Sequence, residues 1–200
     1  MFTRILRFPF TVLVTPLCRV LVKMKVSANA ISIAGLLGSV IAALLLFPSN
    51  HLGWGTGLVT FFVLFDLLDG TVARMTNSGG STWGALLDST LDRFADSAVL
   101  VALVIYARKY EINSTYVIIW AMICGALISY IRARAEALGI ECKGGIAERT
   151  DRLIIVLVTT GFTALGYHYV FAVGMWILLV ASAITVLQRL VIVYRATHSK

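Results

Sequence analysis

Residues 26–65 read VSANAISIAGLLGSVIAALLLFPSNHLGWGTGLVTFFVLF, and none of these 40 residues is Asp, Glu, Lys or Arg. A helix needs about 20 mainly apolar residues to cross the hydrocarbon core of a bilayer, so the stretch is long enough for two crossings. The tetrapeptide Pro48-Ser49-Asn50-His51 in its middle is a turn signal. We therefore predict two membrane-spanning helices, at 26–47 and 53–76.

The whole chain has the same apolar character. Of its 200 residues, 59% are hydrophobic and 14% are charged, and the mean hydropathy is +0.90. Globular domains are about 45–50% apolar and about 25% charged, so a single soluble core of this size cannot hide so much apolar surface. The composition excludes a soluble domain, a disordered chain and a disulfide scaffold, and it predicts an all-α polytopic membrane protein.

Four further membrane spans follow from the distribution of charge. Residues 112–131 are free of acidic residues, Lys and Arg and predict one span, and residues 153–188 are equally free of them. Gly166-Tyr167-His168 interrupts the second run, which therefore predicts two spans. Residues 82–107 are apolar only in their second half, and we expect a span whose polar end faces inward. Its first half carries Asp88, Asp92, Arg93 and Asp96.

Basic residues give the orientation of these six spans. With six crossings, fifteen of the 17 Lys and Arg residues fall on one side, and only Arg108 and Lys109 fall on the other. Because cytoplasmic loops carry the excess of Lys and Arg, we predict that both termini are cytoplasmic. The protein is then expected to be a multi-pass protein of the cell (plasma) membrane.

The first residues of the chain have a different pattern. Residues 1–22 repeat apolar side chains near helical spacing, with Arg4 and Arg7 among them, which predicts an interfacial juxtamembrane amphipathic helix on the inner leaflet. Residues 23–200 are then the six-helix transmembrane domain. The net charge of +7 on so apolar a chain favours an anionic leaflet or an anionic substrate as the partner, and we expect no nucleic acid.

Carboxylates occur where apolar helices are predicted. Asp66 and Asp69 are three residues apart, Asp88 and Asp92 are four apart, and Asp96 continues that stripe. Each pair shares one helical face, and the short connection 75–83 makes the two helices antiparallel neighbours, so the pairs can face each other. A charge at membrane depth costs roughly 2.5–3.5 kcal/mol, which makes such acids candidates for function.

Facing carboxylates must be neutralised, and three interpretations remain open from the residues alone. Hard divalent cations such as Mg²⁺, Mn²⁺ or Ca²⁺ prefer oxygen ligands, and four carboxylates suit two ions about 3.5–4 Å apart. Buried salt bridges with Arg74 and Arg93 are the structural alternative. A cation or proton transport pathway is a third interpretation.

Small residues and an arginine flank the acids. Gly70 and Ala73 follow Asp69, and Gly84 precedes Asp88. Small residues pack helices closely, but they also let a ligand approach the backbone. Arg74 offers a planar fork suited to phosphate, and Gly79-Gly80-Ser81 adds a loop with a hydroxyl group. Metal ligands, an arginine and a glycine-rich loop together point to a diphosphate.

The run Asp66-x-x-Asp69-Gly70-x-x-Ala73-Arg74, nine residues, Gly84-x-x-x-Asp88-x-x-x-Asp92 resembles the signature of the CDP-alcohol phosphotransferases. All eight fixed positions are present, and the six-span topology agrees. The resemblance implies a Mg²⁺ cofactor of two ions, with Mn²⁺ as a substitute, held by Asp66, Asp69, Asp88 and Asp92. It makes Asp92 the catalytic general base. It implies a CDP-lipid site formed by Asn29, Ala30, Ile31, Ser32, Gly70, Ala73, Arg74 and Ser81.

A second basic group lies on the side of the aspartates. Ser129, Arg132 and Arg134 end the fourth predicted span, Arg149 and Arg152 open the fifth, and Arg189 lies near the inner end of the sixth. Glu136, Glu148 and Asp151 are the only counter-charges near them in sequence. Membrane anchoring explains some of these cations, but converging guanidinium groups also favour an anionic co-substrate such as a phosphorylated alcohol.

Residues 128–136 and 144–155 are similar to one branch of the family, the bacterial phosphatidylinositol-phosphate synthases. This resemblance implies that CDP-diacylglycerol reacts with inositol 1-phosphate to give phosphatidylinositol phosphate and CMP. It also implies a homodimer embedded in membrane lipids. It places the acceptor phosphate on Ser129, Arg132, Arg134, Arg152 and Arg189. The alternatives are a phosphatidylglycerophosphate synthase, which uses glycerol 3-phosphate, and an archaeal-type ether-lipid inositol phosphate synthase. A transporter would need none of Gly70, Ala73 and Arg74.

Overall fold

A computed structural model describes residues 28–64 and 82–198. The apolar stretch at its start forms α1 (Ala28–Leu46) and α2 (Leu52–Val63). Between them the chain turns at 47–51, where Asn50 adopts φ +61° and the His51 N–H donates to Leu46 O at 2.9 Å. The predicted break at Pro48–His51 is confirmed. The predicted helix at 1–22 and residues 65–76 of the second predicted span lie outside the described residues.

The rest of the described chain is also helical. α3 is Thr82–Tyr110, a 3₁₀ turn occupies Ile112–Ser114, α4 is Thr115–Ala137, α5 is Arg149–Ala164 and α6 is Tyr169–His198. No strand occurs within residues 28–64 and 82–198, so the all-α prediction is confirmed for that part of the chain. α5 and α6 are separated at Gly166, which has φ +98°, as the predicted interruption at 166–168 required.

Three of these helices are long and apolar enough to cross a membrane. Over the described residues they are Asn29–Leu46, Ile112–Ala137 and Tyr169–His198. At 1.5 Å per residue, the 30 residues of α6 extend about 45 Å, whereas the hydrocarbon core is about 30 Å thick. These helices agree with a membrane protein, and the six spans and the side of the termini stay predictions.

The chain divides into two compact units. One comprises residues up to Ala42 together with Gly57–Ala95, and the other comprises Ala43–Thr56 together with Asp96–Lys200. In the first unit α1 packs closely on α2, because a Cβ atom at Gly38 would overlap with the Phe62 ring. Close approach of two helices through a small residue is the usual way in which membrane helices pack.

In the second unit α4 and α5 both pack against α6. The Tyr106 ring of α3 lies edge-on to Phe171 of α6, with 5.1 Å between the ring centroids. Thr56 of α2 donates a hydrogen bond to Thr160 of α5 at 2.7 Å. Hydrogen bonds between hydroxyl side chains add to the packing of helices that have no hydrophobic driving force in lipid.

The buried face of α6 changes character along its length. Its first half is apolar, and its second half is polar, with Ser182, Thr185 and Arg189 buried at helical spacing. The Ser182 hydroxyl has no hydrogen-bond partner among the described residues. Buried polar groups are normally paired, and polar groups inside an apolar membrane bundle are candidates for function. The polar second half of α6 is therefore the place in the second unit to look for a functional site.

Candidate active site

α3 carries the two predicted metal ligands that the structure describes. Asp88 is exposed and Asp92 is half-buried, and their four-residue spacing puts both on one face of the helix. Arg93 is exposed and donates to the backbone oxygen of Ser89 at 2.5 Å, so a described bond of this arginine goes to its own helix. The two carboxylates supply oxygen ligands of the kind that hard divalent cations prefer.

The rest of the predicted metal and CDP-lipid site stays a prediction. Within residues 28–64 and 82–198, no group of three His, Cys, Asp or Glu side chains comes together, and the predicted metal site also requires two further aspartates. The predicted residues that lie outside the described parts of the chain are Asp66, Asp69, Gly70, Ala73, Arg74 and Ser81.

The predicted CDP-binding segment forms the first turn of α1. Asn29 and Ala30 are exposed and Ser32 is half-buried, whereas Ile31 is only 4% exposed and belongs to the core. A ligand at this helix end can therefore reach Asn29, Ala30 and Ser32 directly. Ile31 can contribute its backbone or hold the turn in place.

Three helices bring three of the predicted acceptor-site arginines together. We call these residues the arginine cluster: Arg132 of α4, Arg152 of α5 and Arg189 of α6. Arg189 is near enough to each of the other two for their like charges to interact. Ser129 is half-buried one turn before Arg132 on the same face of α4. These three cations of the predicted acceptor site thus lie near one another within the second unit.

Arg189 is the most buried member of the cluster, at 4% exposed. Its Nη1 donates to Ile128 O at 2.7 Å and its Nε donates to Gly144 O at 3.1 Å. These bonds tie α6 to the end of α4 and to the loop before α5. A guanidinium group has five N–H donors, and the bonds of Arg189 to the described residues use two of them.

The loop before α5 is fastened to α6 along residues 144–147, which we call the strap. Besides the bond from Arg189, Gln188 Oε1 accepts from the N–H of residue 146 at 3.2 Å, and Thr185 Oγ1 accepts from that of residue 147 at 3.0 Å. Gly145 has φ +127°, and a Cβ atom there would overlap with the methyl group of Thr185. Only glycine fits this close approach in the left-handed region.

Arg152 is 11% exposed and is held from two sides. Its Nη1 donates to Ala147 O of the strap at 3.2 Å, and its Nη2 donates to Asp96 Oδ2 at 3.3 Å. The other oxygen of the same carboxylate accepts from Arg149 Nε at 3.3 Å. Asp96 is therefore shared between two arginines, and bonds to charged groups of this kind are the stronger ones in proteins.

The counter-charge of Arg149 and Arg152 differs from the one expected from the sequence, because it is the carboxylate of Asp96. Glu136 pairs with Arg132 at 2.9 Å as expected, but Asp151 accepts the N–H of Glu148 at 3.1 Å and caps α5. Among the described residues, Asp96 accepts hydrogen bonds from both Arg149 and Arg152, and it precedes them by more than 50 residues. The sequence signal for Asp96 was its place in the acidic stripe of α3, and nothing in that stripe indicates its partners.

The remaining predicted acceptor residue faces another way. Arg134 is exposed, and because it follows Arg132 by two residues of continuous helix, its side chain leaves α4 about 200° around the axis from that of Arg132.

In the loop beyond α4, Lys143 forms a hydrogen bond with Glu141 and lowers the pKa of that carboxyl group. The Lys143–Glu141 ion pair is on the surface and makes no contact with the arginine cluster in the described bonds.

A family comparison identifies the chain. The pattern of the CDP-alcohol phosphatidyltransferases matches residues 25–187. The chain belongs to the CDP-alcohol phosphatidyltransferase family. This confirms the resemblance carried by the eight-position signature, and it makes the chain an enzyme of phospholipid synthesis rather than a transporter.

Relatives within the family agree in name. The phosphatidylinositol phosphate synthase of Mycobacteroides abscessus is 42% identical over 188 residues, which cover 92% of this chain and 84% of the relative. The enzyme of the same name from Corynebacterium glutamicum is 38% identical over 198 residues, covering 97% of this chain and 90% of the relative. Both matches extend over most of this chain.

A solved structure of this family superimposes on the chain. The Mycobacterium tuberculosis phosphatidylinositol phosphate synthase, crystallised with CDP-DAG bound, gives a TM-score of 0.83 at 40% identity, covering 90% of this chain and 92% of that one. The same enzyme has also been crystallised in complex with manganese and citrate, with a TM-score of 0.85 and coverage of 90% and 88%. The fold of the family is thus established for this sequence.

Proposed function

We propose that this chain transfers the phosphatidyl group of CDP-diacylglycerol to inositol 1-phosphate, forming phosphatidylinositol phosphate and releasing CMP. The observation that carries this proposal is the arginine cluster, in which three guanidinium groups from three helices lie near one another. The names of the relatives support the same acceptor, since the enzymes from two genera are called phosphatidylinositol phosphate synthases.

The acceptor end of the site is built for a phosphate monoester. Planar guanidinium forks bind phosphate oxygens two at a time, and Arg152 and Arg189 have N–H groups beyond those in their bonds to the described residues. We assign the acceptor phosphate to Ser129, Arg132, Arg152 and Arg189. Arg134 leaves α4 on another side and is left out of this assignment. A neutral acceptor such as serine or choline would not need this group of cations.

The donor end is assigned to the acidic signature. Four carboxylates, at Asp66, Asp69, Asp88 and Asp92, form a donor set that fits hard divalent cations, and we propose two Mg²⁺ ions with Mn²⁺ as a substitute. When bound, the ions offset charge on the diphosphate and on the departing CMP. The CDP group is assigned to Asn29, Ala30, Ile31, Ser32, Gly70, Ala73, Arg74 and Ser81.

The chemical step needs a base and an oriented acceptor. Asp92 takes the proton from the acceptor hydroxyl, whose oxygen attacks the phosphorus nearest the lipid. The new oxygen–phosphorus bond replaces the bond to CMP, which leaves. The arginine cluster holds the acceptor by its phosphate and thereby limits which hydroxyl group reaches the donor.

We also propose the arrangement in the membrane. The chain has six spans in residues 23–200, an interfacial helix at 1–22, both termini in the cytoplasm and an active site that opens to the cytoplasmic side of the plasma membrane. The three long apolar helices and the one-sided distribution of Lys and Arg support this topology. The enzyme acts as a homodimer among membrane lipids and binds no nucleic acid.

An acceptor panel tests the proposed function. Purified protein is supplied with CDP-diacylglycerol and Mg²⁺ or Mn²⁺, and CMP release is measured with inositol 1-phosphate, glycerol 3-phosphate, inositol and serine. We expect release with inositol 1-phosphate only, and none after chelation of the divalent ion. Release with glycerol 3-phosphate but not with inositol 1-phosphate would identify a phosphatidylglycerophosphate synthase instead.

A further inference from the structure

Asp96 lies outside the eight-position signature, yet its carboxylate holds two arginines. Its Oδ2 accepts from Arg152 and its Oδ1 from Arg149, each at 3.3 Å. Asp96 is 24% exposed at its side chain and Arg152 is 11% exposed. The pair is thus largely withdrawn from solvent, where an ionic hydrogen bond is stronger than on the surface.

The apolar surroundings of the Asp96–Arg152 pair make the loss of either partner costly. Asp96 and Arg152 are the polar end of a small cavity whose other walls are apolar, with Val99, Leu153 and Leu178 among them. In such surroundings a guanidinium group that loses its carboxylate has no alternative anion on the cavity walls. Removal of one partner from a buried pair therefore leaves an uncompensated charge, which either moves or disturbs its neighbours.

The two bonds also fix the direction of the Arg152 guanidinium plane. Asp96 holds Nη2, Ala147 O of the strap holds Nη1, and the position of a Cβ atom at Gly125 would be 3.5 Å from Nε. The group therefore lies between a carboxylate, a carbonyl oxygen and the backbone of α4. Long side chains normally lose rotamer freedom on binding, so an arginine fixed beforehand binds its ligand more strongly.

We infer that Asp96 is a positioning residue of the acceptor site, which fixes Arg152 in the direction that receives the phosphate of the acceptor. This inference rests on the proposed function, because it requires Arg152 to bind that phosphate. Arg149 shares the carboxylate, so the single negative charge of Asp96 is divided between two guanidinium groups. Asp96 itself touches neither substrate nor metal.

The experiment compares Asp96→Asn with the native enzyme, with separate kcat and KM values for inositol 1-phosphate and CDP-diacylglycerol. Asparagine is of similar size but cannot form the ionic bond, so we expect the KM for inositol 1-phosphate to rise about 10- to 100-fold. We expect the KM for CDP-diacylglycerol to stay within about twofold of the native value. Asp96→Glu keeps the charge and should recover part of the loss.

A double variant separates position from charge. Asp96→Asn combined with Arg149→Gln has the native net charge but still leaves Arg152 without its carboxylate. If Asp96 acts by positioning, the KM for inositol 1-phosphate stays raised in the double variant. Recovery of the native KM would overturn the inference, because the effect would then be one of charge alone. The charge-balanced variant also allows the test if Asp96→Asn does not fold.

The matched control is Glu141→Gln, which makes the same chemical change in the exposed pair with Lys143. It should leave both KM values unchanged. If the native enzyme fails to use inositol 1-phosphate, the proposed function fails. If it uses inositol 1-phosphate and Asp96→Asn keeps the native KM or lowers it, the inference about Asp96 alone fails.

Discussion

Asp92 and Asp96 lie one helical turn apart in α3, and their assigned tasks differ. Asp96 is committed to Arg149 and Arg152, so its carboxylate is already neutralised by cations of the protein. Asp92 closes the signature of the family and is assigned the proton of the acceptor hydroxyl. A general base needs a carboxylate within reach of the hydroxyl group that it deprotonates.

Replacement of the base tests that division of tasks. Asp92→Asn should lower kcat for CMP release by about 10²–10⁴-fold, because asparagine cannot accept the proton of the attacking hydroxyl. Binding of CDP-diacylglycerol, measured separately on the purified variant, should change far less. Near-native turnover would exclude Asp92 as the base.

Thr90→Ala is a suitable control for this variant. Thr90 is exposed on the same helix, two residues before Asp92, and its hydroxyl donates to Leu86 O at 2.8 Å within α3. We expect native turnover and native CDP-lipid binding from Thr90→Ala, so a loss in Asp92→Asn cannot be attributed to disturbance of the helix.

Residue patterns predicted some of these positions and not others. Asp88 and Asp92 could be found because four-residue spacing is a local property of the chain. The pairing of Asp96 with Arg152 joins positions 56 residues apart, and two charges so far apart carry no shared local pattern. The same reason explains why the Arg189 bonds to Ile128 O and Gly144 O could not be foreseen.

Among the elements, α5 and α6 meet through a glycine. A Cβ atom at Gly174 would overlap with Thr159 Oγ1 and would come within 2.8 Å of Thr159 Cβ. Gly174→Ala should therefore destabilise the protein by about 1–3 kcal/mol through overpacking. The measurement is the apparent Tm of the purified protein in detergent, which should fall.

A control and a double variant complete this test. Gly161→Ala on α5 places its new Cβ 3.8 Å from the nearest atom, Thr56 Cγ2, and should not lower the Tm. Thr159→Ala removes the two nearest atoms opposite Gly174, so combining it with Gly174→Ala should give less than the sum of the two single effects. Additive losses would show that the two positions do not compete for the same space.

The helices themselves were predictable to a large extent, and their ends were not. Charge-free runs predicted α4 at 112–131 and the turns at 48–51 and 166–168. α4 instead continues to Ala137, since Arg132 and Glu136 pair along the helix at 2.9 Å. Likewise α6 passes Arg189 and runs to His198, because that arginine is buried and bonded rather than marking a membrane boundary.

For the whole molecule, the one-sided distribution of charge predicts the topology. Tags at both termini, and a tag between α4 and α5 near Glu141, should be accessible only from the cytoplasmic side of the membrane. A tag at Glu111, beside Arg108 and Lys109, should be accessible only from the opposite side. The accessibility of each tag is measured by protease protection in vesicles of known orientation.

The tag near Glu111 is the informative control, because it belongs to the same protein but to the other side. If both termini and Glu111 were accessible from one side, the number of spans would be wrong. If the termini were accessible from opposite sides, the number of spans would be odd, and the fifteen-to-two distribution of basic residues would need another cause.

The strap has a practical consequence for solution studies. Cys142, two residues before Gly144, is a free thiol with none of its surface exposed. A water-soluble maleimide can reach this thiol only when the surrounding segment opens, so the rate of labelling at Cys142, resolved from that at Cys18 and Cys124, measures how often the segment opens. Cys142 is thus a native reporter of this opening that needs no introduced cysteine, and its labelling rate can be measured with and without each substrate.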